Sequence, residues 1–327
     1  MHGKIMIKLM VISYTILKTL LTNQIDSLWH NRLGHPAESI LKQLGLPTLK
    51  DNCGVCETNK AHKKPVKNHF DPALSTLDCV HMDVVGPINP PSVSAKCYFL
   101  TIVDQSLSFK IVKFLQKKSE VFEKFQATKS SMENRKEKKL QKLVSDRGGE
   151  FLNKSFKELS NRCGFIHIFA PPETPQHNAF AERANQKILE KAHCLLGSSN
   201  LPATFLADSV NTAVLLSNLS LTASRGNLSP HFLWTNTPVK ILRLRAFSCR
   251  EVVYNLSRKI RGKLDPPGQP GIFIGYKNNT AYWILWLNHL KVSITQHELF
   301  KGKVFPFISQ KNTNKTFTTA PNEHITP

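Results

Sequence analysis

Between residues 79 and 196 the chain runs through strand-like and helix-like segments in an order that few folds accommodate. CVHMDVVGPI and KCYFLTIVDQSLSFKIVKFL read as three β-branched, apolar strands, with a turn at Asp104–Ser108. SEVFEKFQATKSSMENR has helical spacing at Val121, Phe122 and Phe125. QKLVS is a short strand that runs into the Gly-rich turn DRGGEF. NKSFKELSNRCG reads as a helix capped by Asn153 or Ser155, FIHIFAPP as a strand, and PETPQHNAFAERANQKILEKAHCLL as a loop feeding a helix. Three strands, helix, strand, helix, strand, helix predicts an α/β fold built on a mixed sheet.

That order gives meaning to three acids. Asp83 sits inside an apolar strand, where an unpaired charge costs free energy. Asp146 closes the fourth strand, and Glu182 rides on the helix after the fifth, with 35 residues between them. Each acid alone has a plain structural reading: an edge-strand residue, an Asx turn, a solvated helix position beside Arg183. Together they can hold two hard divalent cations through oxygen ligands, the arrangement that phosphoryl transfer uses. Gly148 and Gly149 would let the chain turn sharply beside Asp146.

Upstream, LWHNRLGHP and CGVCETNK place His30 and His35 as H-x4-H, then 17 residues, then Cys53 and Cys56 as C-x2-C. Two histidines about one helical turn apart can share a face, and a C-x2-C knuckle aims two thiolates at one point. The four make a tetrahedral zinc set. A segment this short has little core, so a metal would supply the missing folding energy. The remaining cysteines form no tight pair, which suits a reducing compartment rather than a disulfide framework.

The chain carries 44 Lys and Arg against 23 Asp and Glu, a net charge of +21. Such an excess points to a polyanion, with nucleic acid favoured over an anionic membrane surface. No apolar run reaches bilayer length; MIKLMVISYTILKTLL is broken by Lys8 and Lys18 and reads as a buried strand or the ragged end of a longer polyprotein. Residues 241–300 turn to short strand-like runs, including GIFIGYKNNTAYWILWL, two strands around an Asn-Asn turn. Between residues 240 and 263 stand Lys240, Arg243, Arg245, Arg250, Arg258, Lys259, Arg261 and Lys263, against the single acid Glu251. They suit phosphate contacts; a solvated face is the alternative. Tyr276, Tyr282, Trp283 and Trp286 could stack on bases or fill a small β-barrel core. Arg135–Lys139 reads as a solvated helix end or a nuclear signal. The tail after residue 300 is polar and expected to be disordered.

In combination these blocks resemble the integrase segment of a Ty1/copia-type long-terminal-repeat retrotransposon polyprotein, over about residues 28–300. LWHNRLGHP with CGVCETNK resembles the pre-integrase zinc segment. HMDVVGPI, FLTIVDQSLSF, SDRGGEF and TPQHNAFAERANQKIL resemble the retroviral-type integrase core, of RNase H-like fold. LRAFSCREVVY, KLDPPGQPGIFIGY and ITQHELF resemble the SH3-like segment that follows it. The resemblance implies a flank at 1–27, a zinc segment at 28–66, a catalytic core at 74–235, a basic SH3-like β domain at 241–300 and a tail at 301–327. It implies 3′-end processing and strand transfer of element DNA with Mg²⁺ or Mn²⁺, catalytic residues Asp83, Asp146 and Glu182, and Zn²⁺ on His30, His35, Cys53 and Cys56. DNA would be held by Arg183, Lys187, Lys191, Arg243, Arg245, Arg258, Lys259, Arg261 and Lys263. Partners would be element and host DNA, RNA within a polyprotein particle, and further copies of the chain, with no membrane. The location would be the nucleus, after a cytoplasmic particle stage.

The chain departs from the family in places. Ala179 stands where Gly usually follows Asn178, and would be strained if that position needs positive φ. Ala184 and Gln186 stand where basic residues are usual, which would weaken a phosphate-tracking face, and Phe205 replaces an expected Trp. Protease and Tyr-x-Asp-Asp motifs are lacking, as expected of an excised fragment or a decaying copy. The alternative function is therefore a catalytically inactive, DNA-binding relic.

Overall fold

The computed structural model describes residues 27–49, 52–60, 73, 75–170, 179–199, 201–222, 226–254, 268–277, 281–288, 290–295 and 298–301. The expectations for the N-terminal flank, the tail, Asn178 and the turn at 278–280 fall outside them.

The central sheet has five strands: β1 Cys79–Val85, β2 Tyr98–Asp104, β3 Lys110–Leu115, β4 Lys142–Ser145 and β5 Ile166–Phe169, in the order β3-β2-β1-β4-β5. β1, β2 and β3 pair antiparallel, while β4 pairs parallel with β1 and β5 parallel with β4. This is the mixed sheet of the RNase H-like fold. The parallel pairs need crossovers, which helices α4 (Val121–Lys136) and α5 (Lys154–Cys163) supply. Asn153 is the α5 cap: its side chain accepts a hydrogen bond from Phe156 N at 3.1 Å.

Strand alternation sends side chains to two cores. Leu100 and Ile102 of β2 join Val80, Met82 and Leu143 under Val121, Phe125, Phe156 and Leu159 of α4 and α5. Phe99 points the other way, onto α6 (Ala179–Ser199) and α7 (Leu206–Leu219) through Ile188, Leu195, Phe205 and Ala213. β2 is thus buried on both faces, as its near-continuous apolar run requires. α8 (Pro230–Thr235) stacks Trp234 on Phe109 at 4.6 Å between ring centroids.

A second, all-antiparallel sheet follows: β6 Arg250–Tyr254, β7 Gly268–Tyr276, β8 Tyr282–Trp286, β9 Val292–Thr295 and β10 Glu298–Lys301, in the order β10-β6-β7-β8-β9. Its Ile272, Phe273 and Ile284 belong to the same apolar cluster as α6 and α7. So do Leu33 and Leu41 from the N-terminal segment, so one core runs through all three parts of the chain. Tyr276 and Tyr282 pack edge-on against Phe273 in this cluster, at 4.8 and 5.8 Å between centroids. Their base-stacking option is closed because they are core. Trp283 and Trp286 are half-buried, and Trp286 Nε1 donates to Ser293 Oγ at 2.6 Å. Among the described residues no helix is long and apolar enough to cross a membrane.

Candidate metal centres

The N-terminal segment holds helix α1 at residues 27–32, α2 (Glu38–Gln43) and α3 (Gly54–Asn59). His30 lies in α1, but His35 lies beyond its end, so the two histidines do not share a helix face as their spacing had suggested. Two consecutive left-handed residues, Gly34 at φ 65° and His35 at φ 57°, turn the chain back, and His35 N donates to His30 O at 2.8 Å. A side chain at Gly34 would also collide with Leu216 Cδ1 of α7, 2.6 Å from its β-carbon. Cys53 is the residue before α3 and Cys56 is in its first turn, so the knuckle is one helix start.

The four donor atoms lie within 4.8 Å of one another. His30 Nε2 is 3.3 Å from Cys56 Sγ, and His35 Nδ1 is 3.5 Å from both Cys53 Sγ and Cys56 Sγ. Bond lengths of about 2.3 Å to sulfur and 2.0 Å to nitrogen at a tetrahedral angle demand a sulfur–nitrogen separation of about 3.5 Å. Burial, then the nearby charges of His30 and Lys60, holds His35 down at about 3, so its imidazole is neutral and free to ligate. Cys56 is pushed up to about 11, first by a hydrogen bond with the Cys194 thiol and then by burial. A cation would have to draw that thiol into its thiolate form.

The carboxylates are placed by the sheet. β1 and β4 are in register at His81 and Val144. Continuing that register by two residues sets Asp146 beside Asp83. α6 packs against β1 and brings Glu182 in its first turn. Asp83 is half-buried, and its carboxyl is raised to about 6, first by burial and next by the charge of Asp146, with Glu182 adding to it. Asp146 Oδ1 accepts from Gly148 N at 3.1 Å, so it makes the turn as well as facing Asp83. A β-carbon at Gly148 would stand 2.7 Å from Glu150 Oε2 and 3.2 Å from Asp146 Oδ1, so a larger residue would push the Glu150 carboxylate aside.

Among the described residues, only the His and Cys quartet has its donor atoms drawn close enough to hold a metal ion. The three carboxylates share a field without closing to that distance.

Two residues at this centre escaped the sequence reading. Asn185 Nδ2 donates to Asp83 Oδ2 at 2.8 Å, while Asn185 Oδ1 is buried without a hydrogen-bond partner. Its signal was its i+3 relation to Glu182, which puts both on one helix face. Glu150, two residues past Gly148, brings a fourth carboxylate and is paired with Lys118 Nζ at 2.6 Å. Oxygen donors and a buried amide oxygen without a hydrogen-bond partner fit a hard divalent cation. Asn185→Leu keeps a side chain branched at the same carbon but removes the hydrogen bond to the ionised form of Asp83. Calorimetric titration with Mn²⁺ at pH 7 is expected to show about tenfold weaker binding or more, since bonds to charged groups contribute roughly 1.5–3 kcal/mol. Unchanged affinity would remove Asn185 from the site.

The basic residues divide. Arg183 and Lys187 are exposed on α6, and Arg183 Nε donates to Ala179 O at 3.0 Å. Lys191, one turn on, is half-buried under the Gly34 turn, and burial lowers its ammonium to about 7. The N-terminal segment thus takes it off the solvent face. Arg243 is exposed, whereas Arg245 is half-buried and donates through Nη1 to Leu242 O at 2.7 Å and Leu244 O at 3.0 Å. Arg258, Lys259, Arg261 and Lys263 lie outside the described residues. Ala179 is helical, so the feared positive-φ strain is absent. Ala184 faces the core, so a basic residue there would not have tracked phosphates; Gln186 does face solvent. Phe205 fills core space.

A family model described as the retroviral polymerase SH3-like domain matches residues 249–314. The chain is 34% identical over 267 residues to the retrovirus-related Pol polyprotein from transposon TNT 1-94 of Nicotiana tabacum, covering 79% of this chain and 20% of that protein. It is 31% identical over 293 residues to the retrovirus-related Pol polyprotein from transposon RE2 of Arabidopsis thaliana, covering 86% of this chain and 20% of that protein. It therefore spans about a fifth of the length of these relatives. Among solved structures, one similar chain comes from a simian T-cell lymphotropic virus intasome in complex with the PP2A regulatory subunit B56 gamma. It is 13% identical with a TM-score of 0.43, covering 83% of this chain and 96% of that one. The HTLV-2 integrase catalytic core domain in complex with magnesium is 18% identical with a TM-score of 0.38, covering 49% of this chain and 98% of that one.

Proposed function

The homologues of this chain are Ty1/copia-type retrovirus-related Pol polyproteins of plant transposons, and we propose that the chain is the DNA-integrating segment of such a polyprotein. The observation that carries this reading is the convergence of Asp146 and Glu182, from a strand end and a helix start, on the raised carboxyl of Asp83. Asp83, Asp146 and Glu182 would hold Mg²⁺ or Mn²⁺, which supplies Lewis-acid stabilisation of charge on phosphoryl oxygens.

The chain's own residues do the rest. Asn185 orients Asp83 by fixing one carboxylate oxygen and favours its ionised form. Exposed Arg183, Lys187 and Arg243 contact phosphates without reading sequence. In end processing, the oxygen of water bonds to a phosphorus near the 3′ end of the element DNA, the element's 3′-oxygen leaves and takes a proton, and the terminal nucleotides depart carrying the phosphate. In joining, the freed 3′-oxygen forms a P–O bond to a target phosphate, the target's 3′-oxygen leaves and takes a proton. No enzyme-linked intermediate is needed. His30, His35, Cys53 and Cys56 would hold structural zinc. Concerted joining of two ends calls for at least two copies, and host DNA as substrate places the reaction in the nucleus.

A labelled double-stranded DNA end incubated with plasmid and Mg²⁺ or Mn²⁺ is expected to yield joined products that vanish with Asp146→Asn. No product from folded, zinc-loaded, DNA-binding protein supplied with its own element's ends makes the chain a DNA-binding relic instead. Cleavage that needs no specific terminus makes it a nuclease.

A further inference from the structure

β1 meets α6 through two side-chain contacts. One is the hydrogen bond from Asn185 Nδ2 to Asp83 Oδ2 at 2.8 Å. The other is made by His81, two residues earlier on β1 and so on the same face of the sheet. His81 stacks on Phe180 in the first turn of α6, with 4.9 Å between ring centroids and 28° between planes. The imidazole is 3% exposed, and its Nε2 donates to Gln105 Oε1 at 2.8 Å. The turn between β2 and β3 holds that glutamine in place. Gln105 N donates to Cys79 O at 3.0 Å, and the Asp104 carboxylate accepts from Leu77 N and Leu107 N, each at 2.8 Å. The imidazole plane is thereby fixed, and Phe180 lies on it.

The two contacts agree in spacing. Two strand residues advance about 6.7 Å and five helical residues about 7.5 Å, so both contacts form together. Around the helix axis Phe180 and Asn185 stand about 140° apart. They flank the buried stripe of Ala181, Ala184 and Ile188 on its two sides. A single contact leaves a helix free to slide or to roll; two on opposite flanks stop both. Glu182 lies between them in the chain. The Asn185 contact is made to a carboxylate that a cation also claims, whereas the His81 contact uses no oxygen donor of the centre. We propose that His81 is a positioning residue for the carboxylate centre: by holding Phe180, it sets where Glu182 stands relative to Asp83 and Asp146. The proposal rests on reading those three acids as one divalent-cation centre. Stacked rings fix orientation as well as contact, which an aliphatic side chain does not do.

The test is calorimetric titration of the full chain with Mn²⁺. Phe180→Leu keeps apolar bulk without a ring and is expected to bind Mn²⁺ about three- to tenfold more weakly, the scale of one aromatic contact. Phe180→Tyr keeps the ring and is expected within about twofold of the parent. His81→Leu removes the other ring and is expected to match Phe180→Leu, with the double variant no weaker than either single one. Half-buried Phe180 carries the test alone if the change at buried His81 unfolds the sheet. The deciding comparison is made in Glu182→Gln. A stack that acts through Glu182 has nothing left to position there, so Phe180→Leu is expected to leave the remaining Mn²⁺ affinity unchanged; a general loosening of the fold would weaken Mn²⁺ in both backgrounds. Parent affinity in Phe180→Leu overturns the proposal. So does equal weakening with and without the Glu182 carboxylate, and so does a Tyr variant as weak as Leu. A parent protein that binds no Mn²⁺ overturns the cation centre itself and this proposal with it, an outcome distinct from the other three.

Discussion

Asp83→Asn is expected to abolish DNA joining and, in the same protein, to raise the stability of the form without divalent cations. The two effects have one cause. A carboxyl raised from its ordinary 3.8 to about 6 is a group whose charge the fold resists until a cation arrives. The sign follows from linkage. Below about pH 3.8 Asp83 is neutral whether folded or unfolded, and nothing is lost. As pH rises towards 6 the unfolded chain ionises first, and stability falls. Above 6 the folded chain carries the full cost, which two units at 1.36 kcal/mol each would put near 3 kcal/mol. Solvent reaching a half-buried group reduces that to about 1–2 kcal/mol. Asparagine removes the charge at every pH. It can still accept from Val84 N and can donate to the partnerless Oδ1 of Asn185.

Thermal unfolding in buffer free of Mg²⁺ and Mn²⁺ should therefore show a higher midpoint for Asp83→Asn in zinc-loaded protein at pH 7.5, and little difference at pH 3.5–4, where both proteins have released zinc. Joining should fall by about 10³-fold or more, the scale on which losing one built-in source of transition-state stabilisation is felt. Equal midpoints at pH 7.5 would mean that Asp83 is not strained by its neighbours. Joining that survives would remove it from the reaction.

The second large effect concerns zinc. Cys56→Ser is expected to weaken zinc by about 10²–10³-fold, because four ligands share roughly 10–16 kcal/mol in small structural sites. The consequence is local unfolding rather than a small shift. Among the described residues of 27–60, only Leu33, Pro36 and Leu41 are fully buried apolar side chains, with Trp29, Leu44 and Leu46 half-buried beside them. Without metal, α1, α2 and α3 have too little burial to offset the ordering entropy. The central sheet keeps a separate cluster around Phe125 and Phe156 and should persist. Limited trypsin digestion is expected to cut rapidly at Arg32 and Lys42 in the variant and slowly in the parent, with the core fragment protected in both. Equal protection would show that packing, not metal, holds the segment.

Much of this was legible from the chain alone. The element order held because it rests on local periodicity. β2 is apolar throughout, α4 repeats Val121 and Phe125 on one face, and Asn153 caps α5 by a contact three residues away. The quartet was found because its residue types are scarce and their spacing is short. The structure changed its geometry, moving His35 off the helix through two left-handed residues. Asn185 and Glu150 were passed over because an amide on a helix face and a glutamate in a turn are ordinary until a partner is beside them. The departure at Ala179 likewise signified less than it suggested, since the position is helical.

The sequence by itself determined which atoms are available: oxygen donors at Asp83, Asp146 and Glu182, nitrogen and sulfur donors at four positions upstream, and a cationic surplus for a polyanion. These are properties of residue type and of neighbours a few positions away. Only the tertiary structure decided which side chains meet solvent. Lys187 and Lys191 stand one turn apart on the same helix, yet the first is open and the second lies under the Gly34 turn. Tyr276 and Tyr282 are core while Arg243 is exposed. Burial belongs to a pair of surfaces rather than to one residue, and the second surface, here a segment some 150 positions away in the chain, is set by packing that no local pattern encodes.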